Sequence, residues 1–145
     1  MPTQEVSIIV KGSQLDEEGL ETITELNIQG QYFVQNGSRY LLYEEPDPET
    51  GGSTRTTLKI KDHVTELTRR GAVCSRMLFE VGKTCRTDYV TPYGSFPLEV
   101  CTEDMRSLWS DDGGTLQLTY RLLAENRLLS RNRLSVKIRN FSEKG

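Results

Sequence analysis

This chain has few residues of the types that do chemistry. His63 is its one histidine, and Cys74, Cys85 and Cys101 are its three cysteines. A zinc site needs cysteine and histidine ligands at close spacing, as in a Cys-x-x-Cys pair, and these residues are too far apart for that. A thiol or hydroxyl nucleophile needs a neighbouring base, and the sequence offers His63 no partner. We therefore expect no metal, no cofactor and no enzymatic activity.

Charge is unevenly distributed along the chain, although the net charge is only −3. The first half contains acidic clusters at Asp16 to Glu18 and at Glu44 to Glu49. A basic stripe lies near the C-terminus, at Arg131, Arg133, Lys137 and Arg139. Such a stripe can bind a phosphate backbone or an acidic partner. Because no outward aromatic residues for base stacking are interleaved with it, we favour a solvated face and do not expect nucleic acid as a partner.

The length and the cysteines indicate what kind of protein this is. A chain of 145 residues can bury one core, so we expect a single domain over residues 1–145. The start, MPTQEVSIIVKG, lacks the basic and apolar regions of a signal peptide, and no segment approaches the roughly 20 apolar residues that span a bilayer. Three widely spaced cysteines suit free thiols in a reducing compartment. We expect a cytoplasmic protein without membrane association.

The elements that position these residues are β-strands. Apolar and polar residues alternate through most of the chain, as in Phe96, Leu98 and Val100, which is the period of a strand with one buried face. Tight turns separate the strands, for example Asn36-Gly37 and Thr91 to Gly94. The segment from Glu103 to Trp109 departs from the alternation and is predicted as a helical turn. Gly30, within a long strand pattern, predicts a bulge or a close backbone approach.

About ten strands joined by short loops predict an all-β fold. With no crossover helix, the strands form an up-and-down antiparallel meander, and closing that meander removes its exposed edges. We therefore predict a single closed or nearly closed barrel of about eight to ten strands, with an open or two-layer sandwich as the alternative.

The phase of each strand predicts which side chains point into the barrel. The inward residues with aromatic, thioether or amide groups are Tyr40, Met77, Phe79, Tyr89, Phe96, Tyr120 and Asn132. Buried phenols and amides need hydrogen-bond partners, so these groups either orient a ligand or bond to each other and to trapped water. The same phases predict an outward apolar set, Ile9, Leu41, Tyr43, Leu78 and Leu123.

The run from Tyr89 to Gly94, followed by Phe96, Leu98, Val100 and Thr102, resembles the YwiB-like family of small bacterial proteins. Further matches are Arg70 to Val73, the YLLYEE run from Tyr40, Gly30 to Tyr32 and the two final strands. The resemblance covers nearly the whole chain and consists of strand and turn residues. It implies a calycin-like, lipocalin-type barrel in the cytoplasm of Gram-positive bacteria, and it carries no catalytic residues over to this sequence.

Two functions follow from these predictions. The first is a non-enzymatic barrel that binds a small, largely apolar molecule inside. The alternative is a filled barrel that acts through an outer interaction or dimerisation face, formed by the outward apolar set. In a meander the loops near Asp16, Pro46, Gly71, Pro92 and Asn126 share one end, here called the first rim. This rim carries the long acidic loops, so we predict the ligand's entrance there, with rim contacts from Arg69, Arg70 and Tyr93.

Overall fold

The computed structural model describes residues 3–47, 51–110 and 112–140, and the described residues form ten antiparallel strands. None of them belongs to a helix that could cross a membrane. The strands, in chain order, are β1 (Gln4–Asp16), β2 (Glu21–Gln35), β3 (Ser38–Pro46), β4 (Ser53–Lys61), β5 (Val64–Gly71), β6 (Ser75–Glu80), β7 (Thr84–Thr91), β8 (Gly94–Ser110), β9 (Gly113–Ala124) and β10 (Arg127–Asn140).

The strands form one sheet that closes into a barrel. Its order is β6-β5-β4-β3-β2-β1-β10-β9-β8-β7, so β1 pairs with β10 and every other pair is consecutive. The two end strands then meet: Cys74 N–H donates to Val90 O at 2.9 Å, and Val90 N–H to Cys74 O at 2.8 Å. Gly82 N–H also donates to Thr102 O at 3.1 Å. The up-and-down barrel is confirmed, and the sandwich alternative is wrong.

Turn residues match the conformations that reverse the chain. Asn36 and Gly37 both have positive φ, 51° and 78°, as a two-residue hairpin of the Asn-Gly type requires. At the Pro92 turn, Tyr93 N–H donates to Thr91 Oγ1 at 3.1 Å, and Gly94 has a φ of 138°. With ten strands, alternate loops fall at opposite ends, as predicted. The connection near Pro46 includes residues 48–50, which lie outside the described residues.

The core lies inside the barrel and is built from the inner faces of the strands. Its buried apolar side chains are Val6, Ile8, Leu41, Tyr43, Leu58, Ile60, Leu67, Met77, Phe79, Val100, Leu116, Leu118, Val136 and Ile138. The inward phases predicted for Met77, Phe79, Tyr120 and Asn132 agree with this arrangement. Burial of apolar area is the main favourable contribution to such a fold.

The predicted phase of β3 is wrong. Leu41 and Tyr43 are buried in the core, whereas Tyr40 lies on the outer face. The Tyr40 ring stacks on Phe33 of β2 at 4.8 Å between centroids, and Lys59 Nζ lies 5.8 Å from the centre of the Tyr40 ring. These contacts with Phe33 and Lys59 stabilise the Tyr40 ring on the outer face of the barrel.

The predicted helical turn from Glu103 to Trp109 is also wrong, because this segment continues β8. A bulge lies between Thr102, which pairs with Tyr120, and Asp104, which pairs with Thr119. The extra residue shifts the inward phase from even to odd positions, so Met105 and Trp109 follow Thr102 into the barrel. The broken alternation in the sequence is the signature of this bulge.

Gly30 marks a close backbone approach, as predicted. A Cβ at this position would lie 2.4 Å from Leu42 O and 2.5 Å from Ile8 Cδ1. Between Gln31 and Gln35, β2 pairs with β3, whereas residues 21–30 pair on the β1 side only. β2 and β3 are therefore unpaired in the half of the barrel next to the first rim.

Candidate functional site

A cavity of about 390 Å³ lies in the half of the barrel next to the first rim. It is bounded by Val10, Gly12, Ser13, Gln14, Thr22, Thr24, Arg69, Met77, Tyr89, Leu98, Tyr120, Leu122, Asn132, Arg133 and Leu134. Ser13 and Arg133 pair with each other and alternate with inward residues, so they border the cavity from the outward phase of β1 and β10. The exposed residues Gln14, Thr22 and Thr24 place its mouth at the first rim.

Four of the predicted interior residues meet at this cavity: Met77, Tyr89, Tyr120 and Asn132. Asn132 is buried, and its amide nitrogen donates to Ser130 Oγ at 3.0 Å. Phe79 lies beneath the cavity and contacts Tyr120 edge to face, with 4.8 Å between ring centroids. The strands β6, β7, β9 and β10 therefore bring these side chains together because their inner faces converge.

Three predicted contacts lie outside the cavity. Phe96 has the predicted phase but belongs to the end of β8 that passes beyond the barrel, and 48% of it is exposed. Tyr93, at the tip of the Pro92 turn, is 84% exposed. Arg70 faces outward on β5, opposite Arg55. Phe96 as an interior residue is therefore a wrong prediction, and Arg70 and Tyr93 do not line the cavity.

Arg69 lies inside the barrel instead of on its rim. It follows Thr65 and Leu67 on the inner face of β5, and its side chain is only 25% exposed. Its Nε lies 3.8 Å from Glu45 Oε1, which is beyond hydrogen-bond distance, and this buried Nε has no hydrogen-bond partner among the described residues. Glu45 Oε1 instead accepts a hydrogen bond from Thr56 Oγ1 at 2.9 Å. Arg69 is thus an inward cation that is only loosely paired.

The Arg69 charge affects the pKa of two buried phenols, Tyr43 and Tyr120. Burial raises the pKa of Tyr43, the Glu45 carboxylate raises it further, and the Arg69 charge opposes both effects. Burial likewise raises the pKa of Tyr120, and Arg69 again acts in the opposite direction. Both phenols remain neutral at physiological pH and can donate hydrogen bonds. The site therefore combines one inward cation, Arg69, with a neutral phenol donor, Tyr120. Its other lining residues are a mixture of apolar side chains and polar ones.

The opposite end of the barrel, the second rim, is filled by side chains. Tyr32 and Trp109 stack there with ring centroids 5.9 Å apart and an angle of 14° between their planes. The Arg39 guanidinium lies 5.1 Å from the Trp109 ring centre, and its Nη1 donates to the Tyr32 hydroxyl. These three residues form the aromatic plug of the second rim. Sequence reasoning missed it because Trp109 lay in the segment predicted as a helical turn.

The outward apolar set does not form one patch. Leu41 and Tyr43 are buried inside the barrel. The remaining members, Ile9, Leu78 and Leu123, lie half-buried on β1, β6 and β9. No two of these strands are neighbours in the sheet, so the contiguous surface that motivated the alternative function is a wrong prediction.

The cysteines and acidic residues form no further site in the described part of the chain. There, no three His, Cys, Asp or Glu side chains come close enough to hold a metal ion. Cys74, Cys85 and Cys101 are free thiols. The cytoplasmic location inferred from their spacing stays a prediction.

Comparisons with known proteins agree with the fold. The sequence matches the family described as "Domain of unknown function (DUF1934)" over residues 8–136. It is 26% identical over 109 residues to "Uncharacterized beta-barrel protein YwiB" of Bacillus subtilis (strain 168), covering 74% of this chain and 75% of that protein. The crystal structure of the ywiB protein from Bacillus subtilis superposes with a TM-score of 0.85 at 20% identity, covering 95% of this chain and 92% of the other. The resemblance noted in the sequence is confirmed: this chain is similar to the β-barrel protein YwiB, and it belongs to the DUF1934 family.

Proposed function

We propose that this protein is a non-enzymatic binding barrel that takes up a small, largely apolar molecule. The observation that carries the proposal is the interior cavity of about 390 Å³ at the first rim. Cavities that bind small molecules typically measure about 300–1,000 Å³ and combine apolar walls with a few convergent polar groups. The cavity has both properties.

The apolar and the polar residues of the cavity lining have different roles in binding. Apolar contact comes from side chains on five different strands, namely Val10, Met77, Leu98, Leu122 and Leu134. Removing apolar ligand surface from water against such walls contributes roughly 25 cal/mol for each Å². Tyr89, Tyr120 and Asn132 supply polar groups that fix the orientation of the ligand.

A ligand from solution can reach the cavity beside β2. Thr22 and Thr24 line the cavity and are exposed on β2, where β2 has separated from β3 beyond Gly30. Entry here breaks no hydrogen bond between β2 and β3, because their pairing ends at Gln31 and Leu42. Opening a barrel elsewhere would break ladder hydrogen bonds, so we place the entrance between the β1–β2 hairpin and β3.

Leu122→Trp and Leu123→Trp test the proposal as a matched pair. Leu122 lines the cavity, whereas its neighbour Leu123 faces outward, and both are half-buried. Titration with the neutral fluorophore N-phenylnaphthylamine should give saturable fluorescence with wild type and with Leu123→Trp. The larger indole in Leu122→Trp fills the cavity and should abolish the signal. Equal binding to all three proteins would place the probe elsewhere and reject the cavity.

Native mass spectrometry of the protein purified from its own cells tests the same proposal without a chosen probe. We expect a bound mass of small-molecule size that organic solvent removes. The alternative of a filled barrel that forms a homodimer stays a prediction, and it would give a dimer with no additional mass.

A further inference from the structure

We propose that the ligand is an amphiphilic anion, a carboxylate with an apolar body, and that Arg69 binds its charged group. This inference rests on the proposed function, because it names the chemical class of the molecule that the cavity takes. Among the residues that border the cavity, Arg69 is the one cation on an inward strand phase.

Arg69 has unused hydrogen-bonding capacity. A guanidinium has five N–H donors in a planar fork and stays charged at every physiological pH. The buried Nε of Arg69 has no acceptor among the described residues, and Glu45 is 3.8 Å away. A buried donor without an acceptor is costly, and that cost is removed when an acceptor binds. A carboxylate matches the guanidinium fork with two parallel hydrogen bonds.

The charge of the cavity wall favours an anion over a cation. The residues that border the cavity include no Asp or Glu within the described chain. Glu45, the nearest carboxylate to Arg69, is outside the lining, and its Oε1 accepts a hydrogen bond from Thr56. An anion in the cavity therefore meets Arg69 without first displacing a tight carboxylate partner.

Neutral phenols add further donors around the same point. Tyr120 borders the cavity, and Arg69 is close enough to influence the pKa of both Tyr120 and Tyr43. A protonated phenol donates a hydrogen bond to an oxyanion, but it offers a cationic head group only its oxygen. One carboxylate could thus accept hydrogen bonds from the guanidinium and from a phenol.

Calorimetric titration with octanoate, octanol and octylamine separates head-group chemistry from apolar contact, because the three molecules share one chain length. We expect wild type to bind octanoate about tenfold or more tightly than octanol, and octylamine least tightly, given the strength of charged hydrogen bonds. Arg69→Met should reduce octanoate affinity to that of octanol while leaving octanol affinity within about twofold. Arg69→Lys should restore part of the preference.

Arg39→Met is the matched control, because Arg39 is also an inward arginine but belongs to the aromatic plug at the other end. It should keep the preference for octanoate. If wild type binds octanol and octanoate equally, or prefers octylamine, the inference about the anion is overturned while the binding barrel stands. If none of the three binds, the proposed function itself fails. A preference for octanoate that persists in Arg69→Met would also overturn the role of Arg69.

Discussion

Each end of this barrel has an inward arginine among aromatic residues, yet the two ends satisfy their arginines differently. At the second rim, Arg39 lies over the Trp109 ring and donates to the Tyr32 hydroxyl. At the first rim, the Arg69 Nε is buried beside a cavity and has no hydrogen-bond partner among the described residues. An arginine thus helps to close the second rim, whereas at the first rim an arginine remains available for a hydrogen bond to a ligand.

The difference indicates where stability and where function reside. Buried polar groups in folded proteins nearly always have partners, so an exception needs an explanation. Local departures from good packing and full hydrogen bonding are expected at functional sites. The aromatic plug follows the general rule and contributes to stability, whereas Arg69 and the neighbouring cavity depart from it. We therefore assign binding to the first rim and closure to the second.

The largest expected effect concerns the core between the two ends. Phe79→Asp places a carboxylate where Phe79 is completely buried against Tyr120, so it should destabilise the fold by several kcal/mol. Arg133→Glu changes an exposed residue on β10 and should alter stability by about 0.5 kcal/mol or less. Thermal unfolding followed by circular dichroism measures both. Equal losses of melting temperature would contradict the inward phase of β6.

The next effect compares the two ends directly. Trp109→Ala removes the ring that stacks on Tyr32 and carries Arg39, so we expect a loss of about 3 kcal/mol in urea unfolding. Tyr89→Ala removes a half-buried ring that borders the cavity and should cost about 1 kcal/mol. Probe affinity should respond in the opposite order, with Tyr89→Ala weakening binding and Trp109→Ala leaving it unchanged. A cavity variant that costs as much stability as the plug variant would contradict the division between the ends.

The strand pattern was predictable because most strands alternate cleanly. In β9, Leu116 and Leu118 alternate with polar residues, and Leu122 has the same phase. The inner face of this strand could therefore be predicted from the sequence. In β3 the run Tyr40-Leu41-Leu42-Tyr43 is apolar in both phases, and periodicity cannot choose between them. The choice depends on contacts with other strands, here the stacking of Tyr40 on Phe33, which a single strand pattern does not contain.

The candidate site was only partly predictable for the same reason. Met77, Tyr89, Tyr120 and Asn132 lie on strands with a clear phase, and all four border the cavity. The inward position of Arg69 depends on the phase of β5, where Thr65 and Leu67 on one face differ little from Val64 and Thr68 on the other. The cavity is lined by residues of eight strands, so its volume is a property of the closed barrel and not of any one strand pattern.

The smallest expected effect concerns the buried phenols near the first rim. The folded-state pKa of Tyr43 and of Tyr120 is raised above the ordinary value of 10.0, first of all by burial. Their contribution to stability is therefore fully present below pH 10 and is lost as pH rises from there through the folded-state pKa. Each phenol can reduce the free energy of unfolding by at most about 1.4 kcal/mol per pH unit in that range. Urea unfolding at about pH 9 and about pH 11 should show the decrease.

Tyr43→Phe should make this decrease smaller, while Tyr93→Phe, at an exposed turn, should leave it unchanged. An identical decrease in both variants would mean that Tyr43 ionises without any cost to the stability of the barrel. Water would then reach the interior around Tyr43 far more easily than the burial of this residue indicates.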